Sequence, residues 1–281
     1  MTAWLVSDLH LPPKPSPLRE GFLRWLATAA QDARQVILLG DIFEAWVGDD
    51  LGIETYAEEV AALRRLSAAG IDLRFMVGNR DFLLGNGFCA ATGARPLPDP
   101  CIVTLGGRPT LLSHGDQWCR DDAGYQRYRR VVHHAGVQRL FLRLPRALRQ
   151  RIADRLRRQS RAVTATKPVT ITDVSPQAII EAFGHAGVDR IIHGHTHRPA
   201  VHHLTVDGRA CERQVLPDWT PARMEGLRIA ADGQHLGPSG GAQGRVRHHN
   251  AARSRCRALF ASEGQWIQNS FLPVSERGRC S

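Results

Sequence analysis

Side chains that bind divalent metal ions occur in five short segments, and each segment follows a short apolar run. The segments supply carboxylate, amide and imidazole groups, and they are Asp8-Leu9-His10, Gly40-Asp41, Gly78-Asn79-Arg80-Asp81, His114-Gly115-Asp116 and Gly194-His195-Thr196-His197. Two divalent ions held about 3.5–4 Å apart share a ligand, and a carboxylate can bridge them. The five segments together predict a two-metal hydrolase.

The candidate ligands divide between two ions, with Asp41 as the bridge. The first ion would take Asp8, His10 and His197, and the second would take Asn79, His114 and His195. These shells mix nitrogen and oxygen, which suits Mn²⁺ better than Mg²⁺, because Mg²⁺ prefers oxygen throughout. No cysteine is among the ligands, so a structural zinc site is not predicted.

The elements that position these residues are indicated by the apolar pattern. Apolar runs at 4–6, 36–39 and 73–77 alternate with amphipathic stretches, the first of which opens with Ser16 as N-cap and Pro17 at N1. Such alternation predicts right-handed βαβ units, whose ligands gather beyond the carboxyl ends of the strands.

Later segments favour antiparallel pairing. Gly106-Gly107 and Asp207-Gly208 each separate two strand-like runs, which is a two-residue hairpin signal. We therefore expect an α/β sandwich of mixed β-sheets flanked by helices, with the metals at one sheet edge.

The order of the motifs, Asp-x-His, Gly-Asp, Gly-Asn-x-Asp, His-Gly and Gly-His-x-His, resembles the calcineurin-like metallophosphoesterase superfamily. The likeness extends from residue 3 to about residue 200. It implies the same metallophosphoesterase sandwich and the same dinuclear chemistry.

Positive charge is concentrated between the His114 and Gly194-His195 motifs. Residues 120–167 hold thirteen arginines and one lysine against three aspartates, whereas the whole chain has a net charge of +10. We interpret this stretch as a helical cap insertion.

The cap carries one apolar stripe beside its arginine-rich surface. The stripe consists of Leu140, Phe141, Leu144, Leu148, Ile152 and Leu156. Three uses are compatible with the pattern: burial on the main domain, attachment to anionic lipid with acyl chains held in a cleft, and binding of nucleic acid. We rank lipid above nucleic acid, because aromatic residues for base stacking do not interleave the arginines.

The residue type at position 80 limits which leaving groups the reaction can have. Many members of the superfamily have histidine here, which can protonate a poor leaving group, whereas arginine does not titrate in the useful range. A phosphate leaving group with a second pKa of about 6 needs no acid, so Arg80 favours hydrolysis of a pyrophosphate.

The longer motifs resemble the UDP-2,3-diacylglucosamine diphosphatase family of lipid A biosynthesis. The most specific is Gly40-Asp41-Ile42-Phe43-Glu44-Ala45-Trp46-Val47-Gly48-Asp49-Asp50, with His193-Gly194-His195-Thr196-His197-Arg198-Pro199 as a second. The resemblance implies that two Mn²⁺ ions activate water for attack on the α-phosphorus. The products would be UMP and 2,3-diacylglucosamine 1-phosphate, formed at the cytoplasmic face of the inner membrane.

The resemblance also implies roles for individual residues. The metal ligands are Asp8, His10, Asp41, Asn79, His114, His195 and His197, and the catalytic residues are Arg80, Asp41, His114 and His195. The residues that contact the glucosamine phosphate or line its cleft are Asn79, Arg80, Asp122, Tyr125, Arg157, Ser160, Thr164, Lys167 and His195. Asp122 could equally be a helix cap, and Ser160 a solvated helix residue.

Five further polar residues of the motifs are expected to have structural roles. Asp81 would orient Arg80 or a ligand, His193 would be buried and hydrogen-bonded, and Asp49, Asp50 and Asp116 would brace loops.

The expected organisation is a metallophosphoesterase domain at 1–237, with the cap at about 120–167, and a basic, disordered tail at 238–281. The first strand runs into Asp8 and leaves no room for a signal peptide, so we expect a cytoplasmic protein that is peripheral on the inner membrane. Its partners would be the UDP-diacylglucosamine substrate and the anionic membrane surface, with no nucleic acid and no obligate protein partner.

Two rival hypotheses remain. One is a metallophosphoesterase that acts on a soluble nucleotide, such as a dinucleoside polyphosphate, with the cap as a lid. The other is a catalytically silent scaffold with the same fold.

Overall fold

Two mixed β-sheets pack face to face in the computed structural model, which describes residues 2–166, 171–230 and 233–238. The first sheet has the order β11 (Gly233–Pro238), β10 (Glu225–Ala230), β1 (Ala3–Val6), β2 (Gln35–Leu39), β3 (Asp72–Met76) and β4 (Arg95–Pro96). The second has the order β5 (Cys101–Leu105), β6 (Arg108–Ser113), β7 (Arg190–His193), β9 (Arg209–Val215) and β8 (Ala200–Val206).

The helices cover the outer faces of the sheets and form the cap. They are α1 (Pro17–Ala29), α2 (Asp49–Thr55), α3 (Ala57–Ala68), α4 (Asn86–Thr92), α5 (Ala123–Val132), α6 (Ala135–Leu142), α7 (Arg146–Thr166) and α8 (Pro176–Ala186). No helix in the described ranges has the length and apolarity that crossing a membrane would require.

Strand alternation divides the core into layers. Leu5 and Ile37 point between the sheets, where they meet Leu112 and Ile192 of the second sheet. The adjacent residues of β1 and β2 point away from the second sheet and pack in a cluster with α1 and α3. Helix α8 covers the outer face of the second sheet. Because strand side chains alternate between faces, this double burial explains the continuous apolar runs.

The strand pairings confirm the predicted mixed sandwich. β1, β2 and β3 run parallel in register, as the βαβ pattern predicts. The two predicted hairpins are β5–β6 and β8–β9, and each turns through two residues with positive φ, such as Asp207 (φ 49°) and Gly208 (φ 77°).

The predicted start of the first helix, with Ser16 as N-cap, is confirmed. The Ser16 side chain accepts a hydrogen bond from the backbone N–H of Arg19, and Pro17 is the first residue of α1. β10 and β11, which add two strands beside β1, were not predicted. β11 ends at Pro238, one residue inside the stretch predicted as a disordered tail, and residues 239–281 lie outside the described residues.

The cap helices bury their apolar stripe only in part. Phe141 packs against the main core, but Leu140 is 66% exposed, and Leu148 and Leu156 are also exposed. The alternative in which the cap buries its whole stripe on the main domain is therefore wrong for these three leucines.

Candidate metal centre

All seven predicted ligands lie beyond the carboxyl ends of central strands. Asp8 follows β1, Asp41 follows β2, Asn79 follows β3, His114 follows β6 and His195 follows β7. The last two strands belong to the second sheet, so both sheets contribute to one edge of the sandwich. The motifs that are far apart in sequence are brought together by strand order.

The backbone at this edge is held in an unusual conformation. Five of the ligands have positive φ values, namely Asp8 (57°), His10 (47°), Asp41 (54°), His195 (67°) and His197 (55°). Only one other non-glycine residue among those described, Asp207, shares this conformation. Left-handed backbone costs free energy for residues other than glycine and concentrates at functional sites. This pattern independently marks the edge as a built site.

The first ligand group consists of Asp8, His10 and His197, whose ligand atoms all lie within 4.8 Å of one another. The Nε2 atoms of His10 and His197 are 3.3 Å apart, and Asp8 Oδ1 is 3.3 Å from His197 Nε2. Asp8 is fully buried, whereas His197 is exposed. The group therefore opens toward solvent on one side, where substrate could enter.

The second group consists of Asp41, His114 and His195, again with ligand atoms within 4.8 Å. Asn79 Oδ1 lies between its two imidazoles, 3.1 Å from His114 Nε2 and 2.9 Å from His195 Nδ1. His114 Nδ1 lies 3.0 Å from the carbonyl oxygen of Leu39. A proton on Nδ1 satisfies that carbonyl and leaves the Nε2 lone pair aimed at the Asn79 oxygen. Two acceptors so close need a cation or an added proton between them.

Asp41 lies between the groups. One of its oxygens, Oδ2, is 3.9 Å from His10 Nε2, and the other, Oδ1, is 3.7 Å from His114 Nε2. The carboxylate is buried. Its two oxygens therefore face different groups, as the predicted bridging role requires.

Several acidic groups and imidazoles are buried close together at this edge, and they shift one another's pKa values. Burial raises the pKa of Asp41, and the nearby Asp81 and Asp8 carboxylates raise it further. Burial alone would lower the pKa of His114, but the charges of Asp41 and Asp8 outweigh it and raise the pKa to about 9. Divalent cations bound at this edge would compensate the buried negative charge of these carboxylates. The donor set thus fits two divalent ions.

Two glycines allow the close approach of these groups. A Cβ at Gly78 would overlap the Asp41 carboxylate, and a Cβ at Gly194 would overlap Ser7 Oγ and Asp8 Oδ2. The glycines of the motifs therefore leave room for the ligands beside them.

Supporting residues include some that sequence analysis assigned and some that it missed. As predicted, Asp81 holds ligand loops in place by accepting backbone hydrogen bonds from Gly78 (2.8 Å), Ile42 (2.8 Å) and Asp41 (3.2 Å). Ser7 was not singled out, yet its hydroxyl donates to Asp8 Oδ2 at 2.6 Å.

The other motif residues with predicted structural roles also have identifiable partners. His193 is buried, with Nδ1 2.9 Å from the Gly194 carbonyl oxygen, so the predicted buried role is confirmed. Asp49 braces a loop, because it accepts hydrogen bonds from the backbone of Gly85 and Gly87. Asp116 instead contacts the cap, where Tyr125 Oη donates to it at 2.6 Å.

Sequence analysis also missed two acids that face metal-ligand imidazoles. Glu44 Oε2 lies 3.9 Å from His10 Nδ1, and Asp218 Oδ2 lies 3.9 Å from His197 Nδ1. Glu44 belongs to the long Gly40–Asp50 motif, which was the signal that could have identified it. Asp218 follows an irregular stretch with no such pattern.

Three of the predicted substrate residues, Arg80, Tyr125 and Arg157, have described surroundings. Arg80 Nε is buried and has no hydrogen-bond partner among the described residues. The Tyr125 ring lies 5.7 Å from that of His195, and Arg157 Nη1 lies 3.8 Å from Glu44 Oε1. An unpartnered buried guanidinium nitrogen is the arrangement that an anionic ligand would complete.

The remaining predicted contacts stay predictions. Asp122 is the N-cap of α5 and accepts a hydrogen bond from the backbone of Tyr125, which confirms the helix-cap alternative without testing a substrate role. Ser160 is exposed on α7. Thr164 lies in a part of α7 whose side chains are not described, and Lys167 lies outside the described residues.

Comparison with known proteins places this geometry in a family. Residues 1–199 match the calcineurin-like phosphoesterase family. Among solved structures, a dimetal phosphatase from Danio rerio is 11% identical and covers 88% of this chain and 96% of its own, with a TM-score of 0.44, which is too distant to bear on metals or substrate.

Curated relatives are much closer. The UDP-2,3-diacylglucosamine hydrolase of Edwardsiella ictaluri is 45% identical over 84% of this chain and 91% of its own. Proteins of the same name from Chromohalobacter salexigens (45% identical, 83% of this chain, 94% of that chain) and Stenotrophomonas maltophilia (44%, 84% and 98%) are equally similar. The chain belongs to the calcineurin-like phosphoesterase family and, within it, to the group of proteins named UDP-2,3-diacylglucosamine hydrolase.

Proposed function

We propose that the protein hydrolyses the pyrophosphate bond of UDP-2,3-diacylglucosamine, yielding UMP and 2,3-diacylglucosamine 1-phosphate, a step of lipid A biosynthesis. The observation that carries the proposal is the 42–45% identity, over most of both chains, to relatives named for hydrolysis of this substrate. The converging ligand groups at the sheet edge supply a matching reaction centre.

Two divalent ions would be held by the seven side chains described above, with Asp8, His10 and His197 on one side and Asn79, His114 and His195 on the other. Asp41 would serve both. We propose Mn²⁺, because imidazole and carboxylate ligands are mixed in each group. When bound, such ions activate water and neutralise phosphate charge.

Around that centre, the chain's own groups would bind the pyrophosphate. The free Nε of Arg80 is placed to donate to a phosphate oxygen, and its permanent charge would stabilise negative charge as the bond to the leaving phosphate breaks. The Asn79 amide, from the residue that precedes Arg80, and the His195 imidazole contact each other at the same edge. No group is required to protonate the departing phosphate, since that phosphate is stable as an anion near neutral pH.

The lipid half has a candidate place between the cap and the core. A cavity of about 270 Å³ is lined by Ala45, Val47, Leu51 and Tyr56 from the core and by Arg157 from α7, among others. Its wall is mainly apolar, and Arg157, which lines it, lies 3.8 Å from Glu44 Oε1. Mainly apolar pockets with a few polar groups are typical of ligand-binding sites.

The cap also supports a location at a membrane surface. Exposed Leu140 lies on α6, and exposed Leu148 and Leu156 lie on α7, which is rich in arginine. Apolar side chains that enter the interface, together with cations that attract anionic head groups, produce peripheral binding. We therefore propose that the protein acts while docked on the cytoplasmic face of the inner membrane.

The decisive experiment is a hydrolysis assay on chelated protein to which Mn²⁺ is returned. UDP-2,3-diacylglucosamine should release UMP only with metal present, and Asp41→Asn should lose turnover at least 100-fold while remaining folded by circular dichroism. A preference for dinucleoside polyphosphates would favour the soluble-nucleotide alternative. Fully loaded protein that is inert toward both would favour the scaffold.

A further inference from the structure

Arg149 of the cap helix α7 is buried beside the start of α2, at Gly48–Asp50. Its side chain is only 4% exposed, although neighbouring arginines of α7 such as Arg151 face solvent. A buried guanidinium must have its donors satisfied, so its partners reveal what the position is for.

Four hydrogen bonds use four of the five N–H groups of this guanidinium. Nη1 donates to the Val47 carbonyl oxygen (2.6 Å) and to Asp50 Oδ1 (2.9 Å), and Nη2 donates to Asp50 Oδ2 (2.5 Å). Nε donates to the carbonyl oxygen of Leu144, which closes the turn that leads into α7 (3.1 Å). The bidentate contact with Asp50 fixes both distance and orientation.

The backbone at the start of α2 leaves room for the Arg149 guanidinium. Gly48 has a φ of 124°, which side-chain-bearing residues rarely adopt, and a Cβ there would overlap Arg149 Nη1. Asp50 also accepts a hydrogen bond from Arg146 at 3.0 Å, so it anchors two successive turns of α7. The Gly48-Asp49-Asp50 segment therefore forms a receptor for the Arg149 side chain of the cap.

The same residues border the cavity between α7 and the core. Val47 and Leu51, next to the receptor on one wall, and Gln150, next to Arg149 on the other, all line it. Arg157, two turns further along α7, lines it as well. Any change in the Arg149–Asp50 contact would alter the separation of the two walls.

We propose that Arg149 and Asp50 form a clasp that positions α7, and with it Arg157, so that the cavity is held at the width that binds the lipid half of the substrate. The choice of substrate rests on the proposed function. Arg149 acts here as a positioning residue, because it reaches the substrate only through α7.

The test compares Arg149→Met with Arg151→Met in the full chain loaded with Mn²⁺. Both variants remove one positive charge from α7, but only the first removes the clasp. Arg149→Met should raise the KM for UDP-2,3-diacylglucosamine about tenfold and leave kcat within about twofold. Hydrogen–deuterium exchange should become faster in α7 and stay unchanged in β1 and β2. Arg151→Met should match the parent in both measurements, and Arg149→Lys should restore part of the loss.

Several outcomes would overturn the clasp: an unchanged KM, unchanged exchange in α7, or equal effects of Arg149→Met and Arg151→Met. If Arg149→Met does not fold, Asp50→Asn provides the same test, because it keeps the backbone acceptors of Arg149 and should shift KM in the same direction. If the parent protein does not hydrolyse the substrate but Arg149→Met still makes exchange in α7 faster, the proposed function is refuted and the clasp stands.

Discussion

The Nε2 atoms of His10 and His197 lie 3.3 Å apart, although 187 residues separate them. His10 follows a strand of the first sheet, and His197 follows a strand of the second. Two imidazole nitrogens in such proximity repel unless a proton or a cation lies between them. The contact therefore brings side chains from both sheets to positions where one proposed ion would bind them both.

This relationship predicts the metal stoichiometry of a variant. His197→Ala removes one of the four proposed ligands of the first ion (Asp8, His10, His197 and the bridging Asp41) and leaves the second group intact, so the protein should retain one Mn²⁺ in place of two. Elemental analysis after dialysis measures the count directly. His203→Ala, on the exposed face of β8, is the matched control and should keep both ions. Two retained ions in His197→Ala would refute the ligand assignment.

Asp81 provides a second prediction, because it contacts ligand loops without being a proposed ligand. Asp81→Asn keeps the shape but loses the charge that holds the N–H groups of Gly78, Ile42 and Asp41. Mutation of a group that orients ligands costs about 10–100-fold in metal affinity. Titration of activity with Mn²⁺ should show this shift, and saturating metal should restore most of kcat. Persistent inactivity at saturating metal would assign Asp81 a direct part in the reaction.

The convergence of the proposed ligands could be predicted from sequence because their motifs follow buried strands. Parallel strands end at a common edge, so Asp8, Asp41 and Asn79 had to meet once the βαβ pattern was accepted. The two hairpin turns were equally readable, since Gly106-Gly107 and Asp207-Gly208 meet the requirement for positive φ.

Other features depend on contacts that no local pattern encodes. Glu44 contacts His10 only because the loop after β2 folds back, and Asp218 reaches His197 from an irregular segment. The sequence of β10 has no pattern that predicts its partner, and the strand pairs with β1 at the edge of the sheet that β2 does not occupy. The exposure of Leu140 was also undecidable, because an apolar stripe has the same sequence whether it faces the core or a membrane.

Asp72 allows a prediction about pH at a site remote from the metals. Burial alone would raise its pKa, but hydrogen bonds from Arg74 (2.8 Å), Arg95 (2.5 Å) and Gln35 (2.9 Å) outweigh this and lower the pKa to about 2. A lowered pKa means that the contribution is complete above the unfolded value of 3.8 and is lost as pH falls toward 2.

Asp72→Asn should therefore reduce the free energy of unfolding by about 1 kcal/mol at pH 7, after allowance for its 25% exposure. The difference from the parent should be the same at pH 5 and shrink at pH 3. Urea denaturation at the three pH values measures it. Glu20→Gln, on the exposed face of α1, should show little change at any of them. A difference that grows on acidification would contradict the sign.

The exposed cap leucines give a test of membrane docking that is independent of catalysis. Burial of a leucine side chain contributes about 1.5–3 kcal/mol, so Leu140→Glu should weaken binding to vesicles containing phosphatidylglycerol by at least tenfold. Ile102→Glu is the matched control, because Ile102 is about as exposed but lies on β5, outside the cap. Vesicle sedimentation at two salt concentrations measures both variants. Attraction between arginines and lipid head groups should weaken as salt screens it, and the loss caused by Leu140→Glu should persist. Equal loss in both variants would mean that exposed apolar area alone causes binding, whereas a loss confined to Leu140→Glu assigns the membrane-facing surface to the cap.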